Sequence, residues 1–167
     1  MQHVVNVVSE NGFKDDCVWY VDSGASNHMT SHGEWFKEIQ SLEKRGFVET
    51  GDNTSHPIAH VGRVPLCMDD GNVRYLADVI HVPKITKNLV SVGQMLEKGL
   101  QVHFNLDGCF VEDLKNKCRL VAKGKRQGRM FMLDVEIPEV KAAMFANGSG
   151  VVADTDIWHK RIGHVNM

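Results

Sequence analysis

The sequence contains no apolar run of about 18 residues, so we expect no membrane-spanning helix. Its first residues, Met1 to Val5, lack a basic segment followed by an apolar core, and we therefore expect no signal peptide. Charge of one sign is not in excess either, because 19 basic and 21 acidic side chains give a net charge of −2. This balance provides no general attraction to nucleic acid. The remaining composition, with 43% hydrophobic residues among 167, is typical of one globular domain with an appendage.

Cysteine is scarce and shows no metal-binding spacing. The chain has four cysteines without a Cys-x-x-Cys pair, namely Cys17, Cys67, Cys109 and Cys118. This spacing argues against a zinc site among them, and a disulfide framework is not expected in an intracellular chain of this size. We therefore predict that all four are small residues of the hydrophobic core.

Short apolar runs separated by turn residues dominate the middle of the chain. The turn signals recur about every 8 to 12 residues, a spacing typical of an all-β barrel. Asp69-Asp70-Gly71-Asn72 predicts a tight hairpin between strands at 64–68 and 73–82, because Asp-Gly readily adopts positive φ angles. The fold class that we predict is mainly β, a closed β-barrel with one short helix and extra β-hairpins after it.

That one helix is predicted near residues 88–98. Leu89, Val92 and Met95 recur at helical spacing and form one apolar stripe. Asn88 is expected to cap the start of this helix and Gly99 to end it.

The segment with the clearest chemistry is an apolar strand that ends on a carboxylate. Cys17 to Val21 runs directly into Asp22-Ser23-Gly24, which predicts a tight turn that Gly24 permits. Asp, Ser and Gly also form ordinary turns, so a purely structural turn is the alternative interpretation.

Hydrolysis of a peptide bond by carboxylates needs two of them. One activates a water molecule as a base, while the other, protonated, binds the substrate carbonyl. The chain contains only one Asp-Ser/Thr-Gly, so one copy holds half of such a pair. We therefore predict a homodimer in which a two-fold axis brings two copies of Asp22 together.

Four ordered motifs resemble the Pol polyproteins of copia-type retrotransposons. Residues 19–30 read WYVDSGASNHMT and resemble the protease region of that family. The segments DVIHVP at 78–83 and NLVSVGQM at 88–95 resemble its later parts, and WHKRIGH at 158–164 resembles the start of its gag-pre-integrase region. The resemblance implies a retropepsin-like closed β-barrel and an aspartic endopeptidase that cleaves the polyprotein.

The resemblance also implies roles for individual residues. Asp22 would be the catalytic acid, Ser23 would brace the partner's loop through its hydroxyl, and Gly24 would allow the turn. A hairpin would form a flap over the bound peptide, with its tip at Gly51, Asp52, Asn53 and Thr54. Retroviral flaps are rich in glycine, and this tip is not, so their mechanics need not transfer.

The resemblance also divides the chain into five parts. These are a flexible lead-in at 1–15, the protease barrel at 16–106, a β-hairpin extension at 107–136, a linker at 137–155, and the helical start of the gag-pre-integrase region at 156–167. We expect no cofactor in this fragment. The expected partners are a second copy of the chain and a polyprotein peptide, and we expect no contact with a membrane. The expected location is inside the virus-like particle of a retrotransposon.

The histidines are weaker candidates for metal binding. His159 and His164 resemble half of a zinc site, but the two cysteines that would complete it are not in this fragment, so we expect no bound metal. His28 is interpreted as a structural histidine of the loop after Asp22. A site made of His28 and His32 would need a helix there, which the sequence does not favour.

Two other functions stay open at this stage. A basic run without intervening acids covers 115–129 and would suit phosphate contacts, although a solvated hairpin face is the simpler interpretation. Nucleic acid is therefore expected only through neighbouring polyprotein modules. The chain is alternatively a catalytically inactive β-barrel module, or a nucleic-acid-binding segment linked to an integrase.

Overall fold

The structure is a computed structural model that describes residues 15–138. The predictions for the lead-in before residue 15, for most of the linker, and for the segment with His159 and His164 lie outside the described residues. The strands are β1 (Trp19–Asp22), β2 (Met29–Thr30), β3 (Glu38–Gln40), β4 (Phe47–Glu49), β5 (Ser55–Pro57), β6 (His60–Met68), β7 (Val73–His81), β8 (Asn88–Ser91), β9 (Leu100–Phe104), β10 (Gly108–Asp113), β11 (Arg119–Gln127), β12 (Met130–Leu133) and β13 (Val135–Glu136). The helix is α1 (Val92–Glu97).

The predicted mainly-β class is confirmed. One large mixed sheet runs in the order β13-β6-β7-β2-β8-β1-β12-β11-β10-β9, and β3 pairs with β6 beside this path. Strands β4 and β5 form a separate two-stranded sheet. Among residues 15–138 the path does not close on itself, because β13 and β9 end it without pairing to each other. The retropepsin-like closed barrel therefore stays a prediction.

The longest hairpin lies where the Asp-Gly signal predicts it. β6 and β7 pair antiparallel from His60↔His81 to Cys67↔Val73. The turn between them places Gly71 at φ +80°, the left-handed conformation that glycine adopts without strain. The Asp70 carboxylate accepts from the backbone N–H of Asn72 and pairs with Arg74, which lowers the pKa of Asp70 to about 2.

The predicted helix 88–98 is wrong in its first part. Residues Asn88–Ser91 form strand β8, which pairs in parallel with β1 from Trp19↔Asn88 to Asp22↔Ser91. The cap is Ser91 rather than Asn88, since the Ser91 side chain accepts from the N–H of Gln94. Gly99, at φ +82°, ends the helix as predicted. Pairing along a buried strand satisfies every backbone group of this apolar segment, and this outweighs its helical pattern.

Asn88 instead has a buried role that links three parts of the chain. Its side-chain amide donates to the carbonyl oxygens of Asp16 at 2.7 Å and Val18 at 2.9 Å. Its Oδ1 accepts from the hydroxyl of Thr30 at 2.7 Å. Asn88 and Thr30 are both buried, so these bonds fix the start of β1 and the strand β2 against β8.

The main core is formed by side chains of strands β1, β6, β7, β8, β10 and β12, to which α1 contributes Met95. Its fully buried members include Trp19, Val64, Val79, Val90 and Val111. No helix within residues 15–138 is long and apolar enough to cross a membrane.

The cysteines follow the prediction only in part. Cys67 and Cys109 are buried, and none of the four forms a disulfide. Cys118 is exposed, because it lies in a turn where it and Lys117 both have positive φ angles. Cys17 is half-buried and packs against the core.

Candidate active site

Asp22 is the last residue of a strand that the sheet encloses on both edges. β1 pairs with β8 on one side and with β12 on the other, where Tyr20 faces Met132. Trp19 and Val21 point into the core, whereas Asp22 is half-buried at the strand end. A strand anchored in this way holds the carboxylate at a fixed position while one side of it stays accessible.

Gly24 contacts this carboxylate directly. Its backbone N–H donates to Oδ1 of Asp22 at 2.7 Å. A Cβ on Gly24 would lie 3.2 Å from the same oxygen, which is closer than ordinary van der Waals contact. Gly24 is not among the glycines with positive φ, so glycine is needed here for close approach to the carboxylate rather than for an unusual backbone conformation. Ser23 is exposed and has no hydrogen-bond partner among the described residues.

A buried hydrogen-bond network holds the loop that follows Asp22. The hydroxyl of Ser91 donates to the carbonyl oxygen of Ala25 at 2.7 Å. The backbone N–H of Ser91 donates to Nδ1 of His28 at 2.9 Å, and the N–H of His28 donates to Oε1 of Gln94 at 2.7 Å. The start of α1 therefore fixes the loop 22–28 through three side chains.

His28 is buried and fits the structural role that the sequence indicates. Burial lowers its pKa to about 4, an effect that Asp78 opposes and Lys98 reinforces. The neutral ring is the form that accepts from Ser91, so the network requires an uncharged His28. Within residues 15–138, no group of three or more possible metal ligands occurs around this or any other histidine.

The predicted flap is a short hairpin whose turn is not rich in glycine. β4 pairs with β5 from Phe47↔Pro57 to Glu49↔Ser55. The N–H of Asn53 donates to the carbonyl oxygen of Thr50 at 2.8 Å, and Asn53 has a φ of 59°. Asn53, rather than Gly51, therefore supplies the left-handed residue of the turn.

Asp52 makes this turn rigid. Its Oδ1 accepts from the hydroxyl of Thr50 at 2.5 Å and from the N–H of Thr54 at 3.1 Å. These hydrogen bonds lower the pKa of the exposed Asp52 carboxyl to about 2, so it is ionised over the whole neutral and mildly acidic range. Its carboxylate contacts Thr50 and Thr54 within the turn and makes no contact with Asp22 among the described residues.

The two sequence-predicted sites meet at one open cavity of about 820 Å³. Asp22 and Ser23 line it on one side, and Gly51 and Asp52 line it on another. The predicted site residues Gly24, Asn53 and Thr54 are not part of its lining. A cavity of this size is in the range that accommodates a ligand or a short peptide segment.

The cavity also contains residues that the sequence interpretation missed. Lys84 and Lys87 come from the loop between β7 and β8, and Arg129 comes from the turn between β11 and β12. Apolar side chains form much of the remaining surface, including those of Tyr20, Met29, Ile85, Leu89, Phe104 and Phe131. No local signal marks the three cations, because they reach Asp22 only through the long-range pairing of β8 and β12 with β1.

The basic run is largely dispersed over the β10–β12 hairpins. Lys123 pairs with Asp69 at 2.7 Å, and Lys125 lies 3.6 Å from Asp134. The guanidinium of Arg126 donates to the carbonyl oxygen of Gly128. Local acceptors therefore engage three of its cations, as expected for a solvated hairpin face.

Comparison with known proteins shows similarity to one family of polyproteins. Residues 19–100 match the family described as "Pol polyprotein, beta-barrel domain". The chain is 29% identical over 147 residues to the retrovirus-related Pol polyprotein from transposon RE1 of Arabidopsis thaliana, an alignment that covers 87% of this chain and 10% of that protein. It is 28% identical over 154 residues to the corresponding polyprotein from transposon TNT 1-94 of Nicotiana tabacum, covering 89% of this chain and 10% of that one.

The retrovirus-related Pol polyprotein from transposon RE2 of Arabidopsis thaliana gives a similar match, with 28% identity over 150 residues, 89% of this chain and 10% of that protein. The chain spans about a tenth of the length of these relatives. The family match covers three of the four motifs, those at 19–30, 78–83 and 88–95. Residues 19–100 therefore correspond to the β-barrel domain of Pol polyproteins, and the matches support a fragment of a copia-type retrotransposon Pol polyprotein.

Proposed function

We propose that this part of the polyprotein is an aspartic endopeptidase that acts as a homodimer and cleaves the polyprotein. The observation that supports this most is the position of Asp22 at the end of an enclosed strand, with Gly24 donating to its Oδ1 and a peptide-sized cavity in front of it.

The reaction needs two carboxyl groups in contact. The ionised one removes a proton from water, and the water oxygen attacks the carbonyl carbon of the peptide bond. The protonated one gives its proton to the carbonyl oxygen, which forms a tetrahedral diol. The C–N bond then breaks as the nitrogen takes up a proton, so that one water and one amide become a carboxylic acid and an amine.

A second copy of the chain supplies the second carboxyl group in this proposal. The other acid that lines the cavity, Asp52, is hydrogen-bonded within its own turn to Thr50 and Thr54 and makes no contact with Asp22 among the described residues. The exposed hydroxyl of Ser23 is free among the described residues to contact a partner's loop beside the two Asp22 side chains.

The test combines sedimentation with cleavage of a peptide library by wild type and the Asp22→Asn variant. Asn keeps an oxygen that accepts from Gly24, so the fold should persist while cleavage is lost. Asp107→Asn, an exposed acid in the turn between β9 and β10, is the matched control and should cleave normally. Activity per molecule should fall on dilution as the dimer dissociates, and a statine-type inhibitor should bind.

Two results contradict the proposal. One is cleavage by Asp22→Asn at the wild-type rate, and the other is a constant activity per molecule across the dilution at which sedimentation shows only monomer. A stable monomer that neither cleaves peptides nor binds the inhibitor would instead favour an inactive β-barrel module.

A further inference from the structure

The cavity in front of Asp22 carries an unusual set of cations. Lys84, Lys87 and Arg129 line it from two separate loops, and none of them pairs with a carboxylate within residues 15–138. The ammonium group of Lys87 lies 5.2 Å from the ring centre of Tyr20 and 4.0 Å from the sulfur of Met130. It therefore sits between the strand β1 and the strand β12, within the cavity walls.

The same cavity has an apolar surface beside these cations. Tyr20, Met29 and Leu89 belong to the strands next to Asp22, and Ile85 lies in the loop that carries the two lysines. An extended peptide that crosses Asp22 thus meets a surface for a large apolar side chain and, next to it, three groups that attract negative charge.

We infer that this cavity selects peptide segments in which an acidic residue lies close to a large apolar residue. This inference rests on the proposed endopeptidase function and names its substrate class. The charge on the cavity wall complements the acid, and the apolar surface favours the neighbouring side chain.

The chain itself contains a segment of this chemistry. Residues 151–160 read VVADTDIWHK, in which Asp154 and Asp156 lie next to Ile157 and Trp158. Fifteen residues lie between Pro138 and Asp154, and at about 3.3 Å per residue they can extend over about 50 Å, more than the roughly 30 Å diameter of a small domain. A second segment outside the described residues, KAAMFANG at 141–148, is apolar but has no acidic residue.

A peptide suits the cavity better than a nucleic acid. A nucleic acid carries a charge at every residue and would place phosphates against Asp22 and Asp52, whereas a peptide can place an acid beside the three cations and uncharged residues beside these two carboxylates. The aromatic faces are also partly occupied, since Lys87 lies over Tyr20 and Phe104 packs edge-to-face against Phe131 with ring centres 4.8 Å apart. Stacking of successive bases needs free aromatic faces.

Peptide binding measured by fluorescence anisotropy tests the inference. The receptor is the full chain with Asp22→Asn, which prevents turnover, together with Asp154→Asn and Asp156→Asn, which remove the tethered competitor. The probes are a labelled peptide of residues 151–160, the same peptide with both Asp replaced by Asn, and the peptide of residues 141–148. The acidic peptide should bind about tenfold tighter than its Asn counterpart at low salt, and this advantage should shrink at high salt.

Variants of the receptor locate the effect. Replacing Lys84, Lys87 and Arg129 together by Gln should remove the advantage of the acidic peptide but leave binding of the Asn peptide nearly unchanged. Lys117→Gln, an exposed cation in the turn before β11, is the matched control and should keep the advantage. Circular dichroism of the triple variant checks that it folds, and single variants replace it if it does not.

The outcomes separate this inference from the proposed function. Equal binding of the acidic and Asn peptides overturns the inference, even if the dimer cleaves peptides. An oligouridylate that binds tighter than the acidic peptide and displaces it also overturns the inference. Selective binding of the acidic peptide supports it even if wild type shows no Asp22-dependent cleavage, a result that would overturn only the catalytic proposal.

Discussion

The backbone N–H of Ser91 donates to Nδ1 of the buried His28 at 2.9 Å. Since that nitrogen accepts, it carries no proton, and the ring is neutral with its proton on the other nitrogen. Ser91 lies opposite Asp22 in the parallel pair of β8 and β1, so this bond joins the end of β1 to the loop that follows it. Protonation of His28 would break the bond and leave a charge in the core.

Stability should therefore fall as the solution becomes acidic. The pKa of His28 is lowered from 6.5 to about 4 in the fold, mainly by burial. Between pH 6.5 and about 4, the unfolded chain therefore binds a proton at His28 that the folded chain does not bind. The stability that this difference provides is fully present above pH 6.5 and is lost as the pH falls toward 4. The loss should reach roughly 3 kcal/mol, measurable by urea unfolding at several pH values.

A His28→Asn variant isolates this contribution. Its amide oxygen can accept from Ser91 but does not titrate, so the slope of stability against pH between 4 and 6.5 should become smaller. Gln127→Asn, which changes an exposed side chain at the end of β11 that does not titrate, is the control and should keep the wild-type slope. An unchanged slope in His28→Asn would show that another group causes the acid sensitivity.

Gly24→Ala should impair the site without unfolding the protein. The added Cβ would lie 3.2 Å from Oδ1 of Asp22 and push the carboxylate from its position. Misplacement of a catalytic group by a fraction of an ångström to 1 Å costs roughly 10- to 100-fold in rate. Cleavage kinetics and thermal unfolding should show that rate loss with a nearly normal melting temperature.

The control for Gly24 lies across the cavity. Gly51 has nothing within 4 Å of an added Cβ and no positive φ, so Gly51→Ala should cleave almost normally. If both alanine variants lose activity equally, close approach to Asp22 is not the reason for glycine at position 24.

Ser91→Ala should destabilise the fold. The buried hydroxyl donates to Ala25 and accepts from the N–H of Gln94 at 3.1 Å, where it caps α1. Loss of both bonds in a buried position should lower the free energy of unfolding by about 2 kcal/mol, seen as a lower urea midpoint. Ser55→Ala, at an exposed position in β5, should change it little. A comparable loss in both variants would contradict the capping role.

Asp52→Ala should loosen the tip of the flap hairpin. Without the carboxylate, the N–H of Thr54 and the hydroxyl of Thr50 lose their shared acceptor. Amide exchange at Thr54 should become faster in this variant, as measured by NMR, whereas exchange in the β6–β7 turn should not change. Exchange at Thr54 that stays slow would mean that the backbone bonds of the turn are sufficient.

Local patterns in the sequence were enough for the parts of the fold that depend on near neighbours. The β6–β7 turn follows from Asp70-Gly71, and the end of α1 follows from Gly99, because each needs one residue with a positive φ. The carboxylate at the end of β1 is also a local feature, since the apolar run before Asp22 forms a strand that stops at a polar turn.

The start of α1 could not be predicted in this way. Leu89 and Val92 fit a helical stripe, but Leu89 lies in β8 because its backbone pairs with Tyr20 of β1. The two segments are about 70 residues apart, and periodicity within one segment contains no information about such a partner. The same limit explains why the sequence predicts Asn88 as a helix cap, whereas in the structure it is a buried link to Asp16 and Thr30.

The sequence by itself thus determined the chemical group and its turn: one Asp-Ser-Gly after a buried strand, in a chain of mainly β structure. Only the tertiary structure decided what surrounds that group. Lys87 and Arg129 share a cavity with Asp22 because β8 and β12 pair with opposite edges of β1. Turns and strand ends depend on the conformational preferences of adjacent residues, whereas a cavity depends on which distant strands become neighbours.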